Sequence, residues 1–249
     1  WEAMRIHVYR DPQVVERVLR RYETYGVTQV MQQQQDSTGR AGTVEDPYVS
    51  GRASEVYYMA LTRLRTTLDA LERALNGLSA AKGRKSVILV SEGFIHDINQ
   101  DEFKRVNQAS RRANAAVYFL NARGLEGMPV AMTAQFGQAL PDQDVGFAFA
   151  ETIDAVAGAD LVASDSGGFT IRNTNDLGKG IQRIADETQA YYLLGYVPQN
   201  AARDGKFRKI QVKLASGKGL QVRARKGYYA PGAAGKSAMQ PKKGVDPVI

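Results

Sequence analysis

The chain has 249 residues, of which 43% are hydrophobic and 24% are charged, and it contains no cysteine. This is the composition of an ordinary soluble globular protein that can bury one sizeable core, such as an α/β domain with a small appendage. The lack of cysteine excludes disulfides and zinc–thiolate sites. No stretch approaches the roughly 20 apolar residues that a membrane-spanning helix needs, so we expect no transmembrane segment. Because the chain opens on Trp1, we expect the native amino terminus to lie further upstream.

The formal net charge of +7 raises the question of nucleic-acid binding. A basic motif interleaved with aromatic residues would favour that function, and none occurs in the sequence. The basic residues are instead spread over three regions, which are Arg17, Arg20 and Arg21, then Arg111 and Arg112, and finally 206–226. A solvated basic surface, or contact with an acidic partner, is the better interpretation.

The amino-terminal region combines a strand-like pattern with a helical one. Residues 4–9 alternate apolar and polar side chains with period two. Asp11 and Pro12 then form a strong helix start, and the helix is predicted to end near Gly26. Residues 27–53 have no periodicity and are predicted to form a long surface loop.

A stripe of leucines predicts a long amphipathic helix from a cap at Ser54 to about Ser79. Six leucines recur at alternating spacings of three and four, namely Leu61, Leu64, Leu68, Leu71, Leu75 and Leu78. We expect this stripe to pack on a sheet, with a coiled-coil seam toward a partner as the alternative.

The unbroken apolar run in residues 85–94 predicts a central parallel strand that is buried on both faces. Glu92 and Gly93 follow the run directly. In open α/β sheets, ligands and metals collect at the carboxyl ends of the strands. Any chemistry of the chain is therefore expected near Glu92.

The rest of the chain continues the alternation of strands and helices. A helix over 101–114 and a buried strand over 115–120 complete a βαβ unit with the run at 85–94. The remaining predicted elements are a loop over 122–146, a helix over 147–161, a strand over 168–172, a helix over 175–188, a strand over 190–197 and an antiparallel hairpin within 206–226, formed by 209–214 and 220–225.

Three segments carry a resemblance to a known family. They are 83–94, 166–177 and 191–231, the last of which ends in Lys-Gly-Tyr-Tyr-Ala-Pro. They resemble the bacterial VWFA-related proteins common in Acidobacteria, which are variants of the von Willebrand factor type A domain. The resemblance implies a Rossmann-like, doubly wound, mostly parallel sheet with flanking helices over 1–230. Residues 231–249 have no apolar pattern and are predicted to form an extended basic tail. It also implies a domain that binds other macromolecules, often through a divalent cation, in a periplasmic or secreted setting.

The family's cation site uses three loops, and this sequence matches them only in part. The Asp-x-Ser-x-Ser of the first loop does not occur, so a complete site would need a first loop upstream of Trp1. The second loop's threonine corresponds to Thr66 or Thr67, and the third loop's acidic residue corresponds to Glu92. Mg²⁺ prefers several hard oxygen ligands. The expectation is therefore no cofactor, with Mg²⁺ possible only at a degenerate site.

Catalytic patterns are scarce in this sequence. A Gly-x-Ser-x-Gly nucleophile elbow is absent, and so is a phosphate-binding loop ending in Gly-Lys-Ser/Thr, which residues 235–237 in the predicted tail resemble only superficially. The two histidines are His7 and His96, and only His96 has acidic neighbours, Glu92 and Asp97. One histidine beside two acids is more often a solvated turn than an acid–base set. We therefore predict no catalytic residues and no enzymatic activity.

The predicted function is a non-enzymatic protein-binding or scaffolding module that is a subunit of a larger assembly. Its candidate partner contacts are basic and lie toward the carboxyl terminus, at Arg223, Arg225, Lys236, Lys242 and Lys243. The first alternative is a cation-dependent adhesion or sensor domain whose first metal loop lies upstream. The second is an electrostatic binder of nucleic acid or anionic surfaces.

Overall fold

The computed structural model describes residues 1–24, 46–96, 101–125, 142–189, 191–192, 194–200, 202–215 and 222–232. Within these ranges the chain alternates helices and strands. In chain order the elements are α1 Glu2–His7, α2 Pro12–Thr24, α3 Pro47–Leu78, β1 Lys85–Ser91, α4 Asp101–Arg112, β2 Ala115–Asn121, α5 Asp142–Ser166, β3 Thr170–Ile171, α6 Leu177–Gln189, β4 Phe207–Lys209 and β5 Gly227–Tyr229. None of the described helices is long and apolar enough to cross a membrane.

Strands β1, β2 and β3 form a parallel sheet in that order, and β4 pairs with β5 in a separate antiparallel sheet. The β1–β2 register runs from Lys85 opposite Ala115 to Ser91 opposite Asn121. The predicted α/β class is therefore confirmed, as are the βαβ unit and the carboxyl-terminal antiparallel pair. The Rossmann-like, doubly wound arrangement stays a prediction.

The alternating side chains of β2 divide the core between the two faces of the sheet. Val117 lies on the face where it packs with the leucines of α3 and with α4, and Phe119 on the same face packs against α5. Tyr118 and Leu120 lie on the opposite face, where they pack against Ile184 of α6. Every residue of β2 is buried, as expected of a central parallel strand.

The leucine stripe of α3 packs inside the domain, as predicted. Leu64, Leu68, Leu71 and Leu75 are buried and pack in one cluster with Phe103 and Val106 of α4. The structure thus favours the core-packing interpretation over the coiled-coil alternative.

The long loop predicted over 27–53 is wrong in its last part, because α3 begins at Pro47. The Asp46 side chain accepts a hydrogen bond from the Val49 amide at 2.9 Å and caps the helix, and Pro47 occupies the first turn. An acceptor followed by proline is a strong helix start that the predicted cap at Ser54 overlooked. The segment 25–45 lies outside the described residues.

The strand-like alternation at residues 4–9 is also overturned, since Glu2–His7 is helical. The buried residues Met4 and Ile6 are two positions apart, a spacing that fits a strand rather than one face of a helix, so tertiary contacts override the local pattern here. Ile6 packs against Val14 and Val49 in a second core cluster.

The carboxyl-terminal strands differ from the prediction in position. The ladder pairs Phe207 with Tyr229 and Lys209 with Gly227, closer to the ends of the predicted hairpin. The Ile210 amide also bonds to the Lys226 carbonyl at 2.7 Å, and within 222–226 the side chains of Arg223 and Arg225 bond to Glu187 and Ala115. The described residues within the predicted strand at 190–197 form no strand either, and the turn of the hairpin lies outside the described residues.

Candidate interaction surface

One face of β1 is left uncovered by the described residues. Val87 and Leu89 point into the core, whereas Ile88 and Val90 are 41% and 60% exposed. Strand β1 pairs only with β2, and no described residue pairs with its other edge. The prediction that this run is a central strand buried on both faces is therefore wrong for the described chain.

The contrast with β2 shows how local this exposure is. On the same side of the sheet, Tyr118 and Leu120 are covered by Ile184 and Phe169, but this cover does not extend to Ile88 and Val90. A continuous apolar run indicates that both faces of a strand are apolar. It does not indicate which elements cover those faces. β-branched side chains exposed on an open strand edge are a typical site for addition of another strand.

Glu92 is exposed just past β1, where the chain turns sharply onto α5. Gly93 has a φ of 90°, and a Cβ there would lie 2.8 Å from Cγ1 of Val156, so this tight turn requires glycine. The turn continues into a hydrogen bond from the Gly158 amide to the Phe94 carbonyl at 2.9 Å. The carboxylate of Glu92 therefore projects beside a fixed turn at the carboxyl end of the strand.

Thr66 and Thr67, the proposed second-loop ligands, lie in the middle of α3. Their hydroxyls donate to the carbonyls of Thr62 and Arg63 at 3.0 and 2.9 Å. Thr66 is two residues from both Leu64 and Leu68, so it lies on the opposite side of the helix from the core. No contact joins either threonine to Glu92 among the described residues.

The described residues do not fit a divalent-cation site. No group of three or more His, Asp or Glu side chains in this part of the chain lies where it would hold a metal ion. The stretch nearest to the family's first loop, 160–166, lies within α5, where Ser166 accepts a hydrogen bond from the Val117 amide and Asp160 pairs with Arg172. We therefore assign no chemistry to a cation here.

His96 does not lie in a solvated turn but at a small cavity between α4 and α5. Its ring lies edge-on to Phe103 at 5.0 Å. The cavity has a volume of about 50 Å³, and its polar lining comprises His96, Lys104, Asn107, Ser110, Asp165, Ser166 and Tyr229. That volume suits a few water molecules rather than a substrate. Asp97, the predicted neighbour of His96, lies outside the described residues.

Asp165 is the titratable group in this cavity that sequence reasoning missed. Burial raises its pKa, and the positive charges of Lys226 and His96 oppose that shift. The residue also lies in the last turn of α5, where the helix dipole disfavours a negative charge. Its separation of 69 positions from His96 left no local signal for the pairing.

Two of the predicted partner contacts are used within the chain. Arg225 donates to the carbonyls of Ser110 and Ala115 at 3.2 and 3.0 Å. Arg223 donates to Glu187 at 2.6 Å, and its guanidinium lies 4.6 Å from the ring centroid of Phe169. Lys236, Lys242 and Lys243 lie outside the described residues and stay predicted contacts.

The segment after α6 presents a second uncovered apolar surface. Tyr192, Leu194 and Val197 are 96%, 73% and 90% exposed. Sequence reasoning took this apolar run for a strand within a sheet. The described residues of this segment form no strand, and these three side chains are largely uncovered by the described part of the chain.

Comparison of the chain with protein-family models, with curated proteins and with solved structures found no match. The resemblance to VWFA-related proteins therefore stays a prediction.

Proposed function

We propose that this chain is a non-enzymatic protein-binding module and a subunit of a larger assembly. Its binding surface is the outer face and open edge of β1. The observation that supports this proposal is the exposure of Ile88 and Val90 beside the buried strand β2.

An extended segment of a partner protein is the occupant that this surface suits. The free edge of β1 offers backbone N–H and C=O groups along Lys85–Ser91, which an added strand would pair. Apolar side chains on that added strand would cover Ile88 and Val90. Each would contribute roughly 1 kcal/mol, because about half of each side chain is already covered. The backbone hydrogen bonds supply the rest of the affinity and fix the partner as an extended strand.

The setting follows from the resemblance rather than from the surface itself. A periplasmic or secreted location and an assembly with other proteins are what VWFA-related proteins lead us to expect. The cation-dependent alternative receives no support from the described residues, because Glu92 has no partner ligands among them.

The test is selection of linear peptides from a random display library on the immobilised chain. We expect selected peptides to alternate apolar and polar residues and to lose affinity about fivefold on Val90→Lys, since the loss of one anchor of about 1 kcal/mol corresponds to that factor. The matched control is Ile153→Lys on α5, because Ile153 is 61% exposed and Val90 is 60% exposed. Peptides that bind both variants as well as the parent chain would overturn the proposal. Failure to select any binder would overturn it as well.

A further inference from the structure

Three arginines from distant parts of the sequence meet at the amino ends of the sheet strands. Arg84 directly precedes β1, Arg111 lies in the last turn of α4, and Arg225 lies two residues before β5. Gly167 lies next to two of them. Its carbonyl accepts a long, 3.5 Å hydrogen bond from Arg84. A Cβ placed on Gly167 would lie 3.3 Å from Cγ of Arg225. Arg225 also bonds to Ser110, the residue before Arg111.

The positive charge of this cluster is not neutralised within the described chain. None of the three guanidinium groups forms an ion pair with a described carboxylate, and the hydrogen-bond acceptors of Arg225 are two carbonyls and one hydroxyl. Burial, and to a lesser extent the like charges of Arg84 and Arg111, lower the pKa of Arg225 to about 10. Arg225 is therefore still charged at neutral pH, and an anion placed among the three guanidinium groups would relieve their mutual repulsion.

Two of the guanidinium groups are arranged so that their N–H edges stay available. Arg84 lies over the ring of Tyr191 and Arg111 over the ring of Tyr228, each 5.7 Å from the ring centroid. Stacking uses the flat face of a guanidinium and leaves its N–H edge free for bidentate hydrogen bonds to an oxyanion. The Arg111 side chain makes no hydrogen bond to a described residue, whereas the Arg84 guanidinium makes a long one to Gly167 and also interacts with the Tyr118 hydroxyl.

We propose that Arg84, Arg111 and Arg225 form a binding site for a phosphate group. A carboxylate would neutralise one of the three charges, whereas a phosphate brings close to two negative charges and enough acceptor oxygens for two guanidinium forks. The site lies at the opposite end of β1 from Glu92 and is independent of the strand-binding surface proposed above. The phosphate is either a free anion or part of a phosphate ester or polymer.

The test is calorimetric titration of the purified full chain with inorganic phosphate and with pyrophosphate at low ionic strength. We expect saturable binding that Arg84→Met and Arg111→Met each weaken about fivefold or more, because each removes a charged hydrogen-bond donor. Arg63→Met is the matched control, since Arg63 is exposed on α3 and outside this cluster. Methionine keeps the apolar stem of the side chain, so the variants should fold.

The outcomes separate the site from general charge effects. Equal weakening by all three variants would mean that phosphate only screens the net charge, and it would overturn the proposal. Absence of saturable binding would overturn it too. A parallel titration with a single-stranded oligonucleotide distinguishes the sources: binding tighter than that of pyrophosphate, and weakened by Arg111→Met, assigns the site to a phosphate polymer. Tighter binding of pyrophosphate than of the oligonucleotide assigns the site to a free phosphate.

Discussion

Val90 and Leu120 are register partners on neighbouring strands, yet Leu120 is 4% exposed and Val90 is 60% exposed. Partners in a parallel ladder point to the same face of the sheet, so the two side chains share one surface that is covered at β2 and open at β1. This difference is the physical basis of the proposed binding function.

Replacing Leu68 by alanine tests the packing of α3 on the sheet. Leu68 is fully buried in the largest core cluster, so Leu68→Ala should lower the free energy of unfolding by about 2–5 kcal/mol. Urea denaturation followed by circular dichroism measures this loss. Thr66→Ala on the outer side of the same helix should change the free energy of unfolding by only about 0.5 kcal/mol. Similar values for the two variants would contradict the assignment of the leucine stripe to the core.

Ser166 is predicted to satisfy the backbone of the central strand. Its hydroxyl accepts a hydrogen bond from the Val117 amide at 2.8 Å and is buried. Ser166→Ala leaves that amide without its partner, at a cost of about 1–3 kcal/mol in unfolding free energy. Ser164→Ala on the same helix, at a half-buried position, is the control and should cost clearly less. If chemical denaturation ranks the two variants in the other order, this role for Ser166 is wrong.

Much of this core could be predicted from sequence alone. The continuous apolar run at 115–120 predicts a buried strand. The spacing of Leu64 and Leu68 predicts one buried face of a helix. The contacts at the cavity and at the arginine cluster could not be predicted in this way, because they join residues far apart in the sequence. Arg225 reaches Ser110 across 115 positions and Asp165 meets His96 across 69, and neither pairing leaves a periodic trace.

The exposure of β1 escaped prediction for a related reason. The residues Val87 to Val90 are apolar on both faces, and such a pattern predicts burial without identifying the element that provides it. The start of α3 was also mispredicted, because Ser54 and the pair Asp46 and Pro47 are both typical of helix starts, and the helix begins at Pro47.

Asp165 should make stability depend on pH in a defined direction. Because burial raises its pKa, the native state holds the proton more tightly than the unfolded chain does. Stability is therefore lost as the pH rises from about 4 through the native pKa, and the full cost is present at neutral pH. Asp165→Asn should raise Tm at pH 7 and raise it less at pH 4. Asp160→Asn, which removes the partner of Arg172, should give no such gain, and a lower Tm of Asp165→Asn at pH 7 would refute the burial argument.

Glu92 is expected to have a structural rather than a metal-binding role. Glu92→Gln should change Tm only slightly, because the side chain is exposed. A Mg²⁺ concentration of about 5 mM is enough to fill even a weak site. Thermal unfolding of the parent chain and the variant, each with Mg²⁺ and with EDTA, makes the comparison. A rise in Tm with Mg²⁺ that Glu92→Gln abolishes would demonstrate a working cation site.

The most direct measurement of the central claim is amide hydrogen exchange over β1, with and without a selected peptide bound. Our account predicts that exchange within Lys85–Ser91 slows about tenfold or more on binding, because an added strand takes up the free backbone groups at this edge. Unchanged exchange in β1, with protection appearing instead at residues 194–197, would show that the chain binds its partner through another surface.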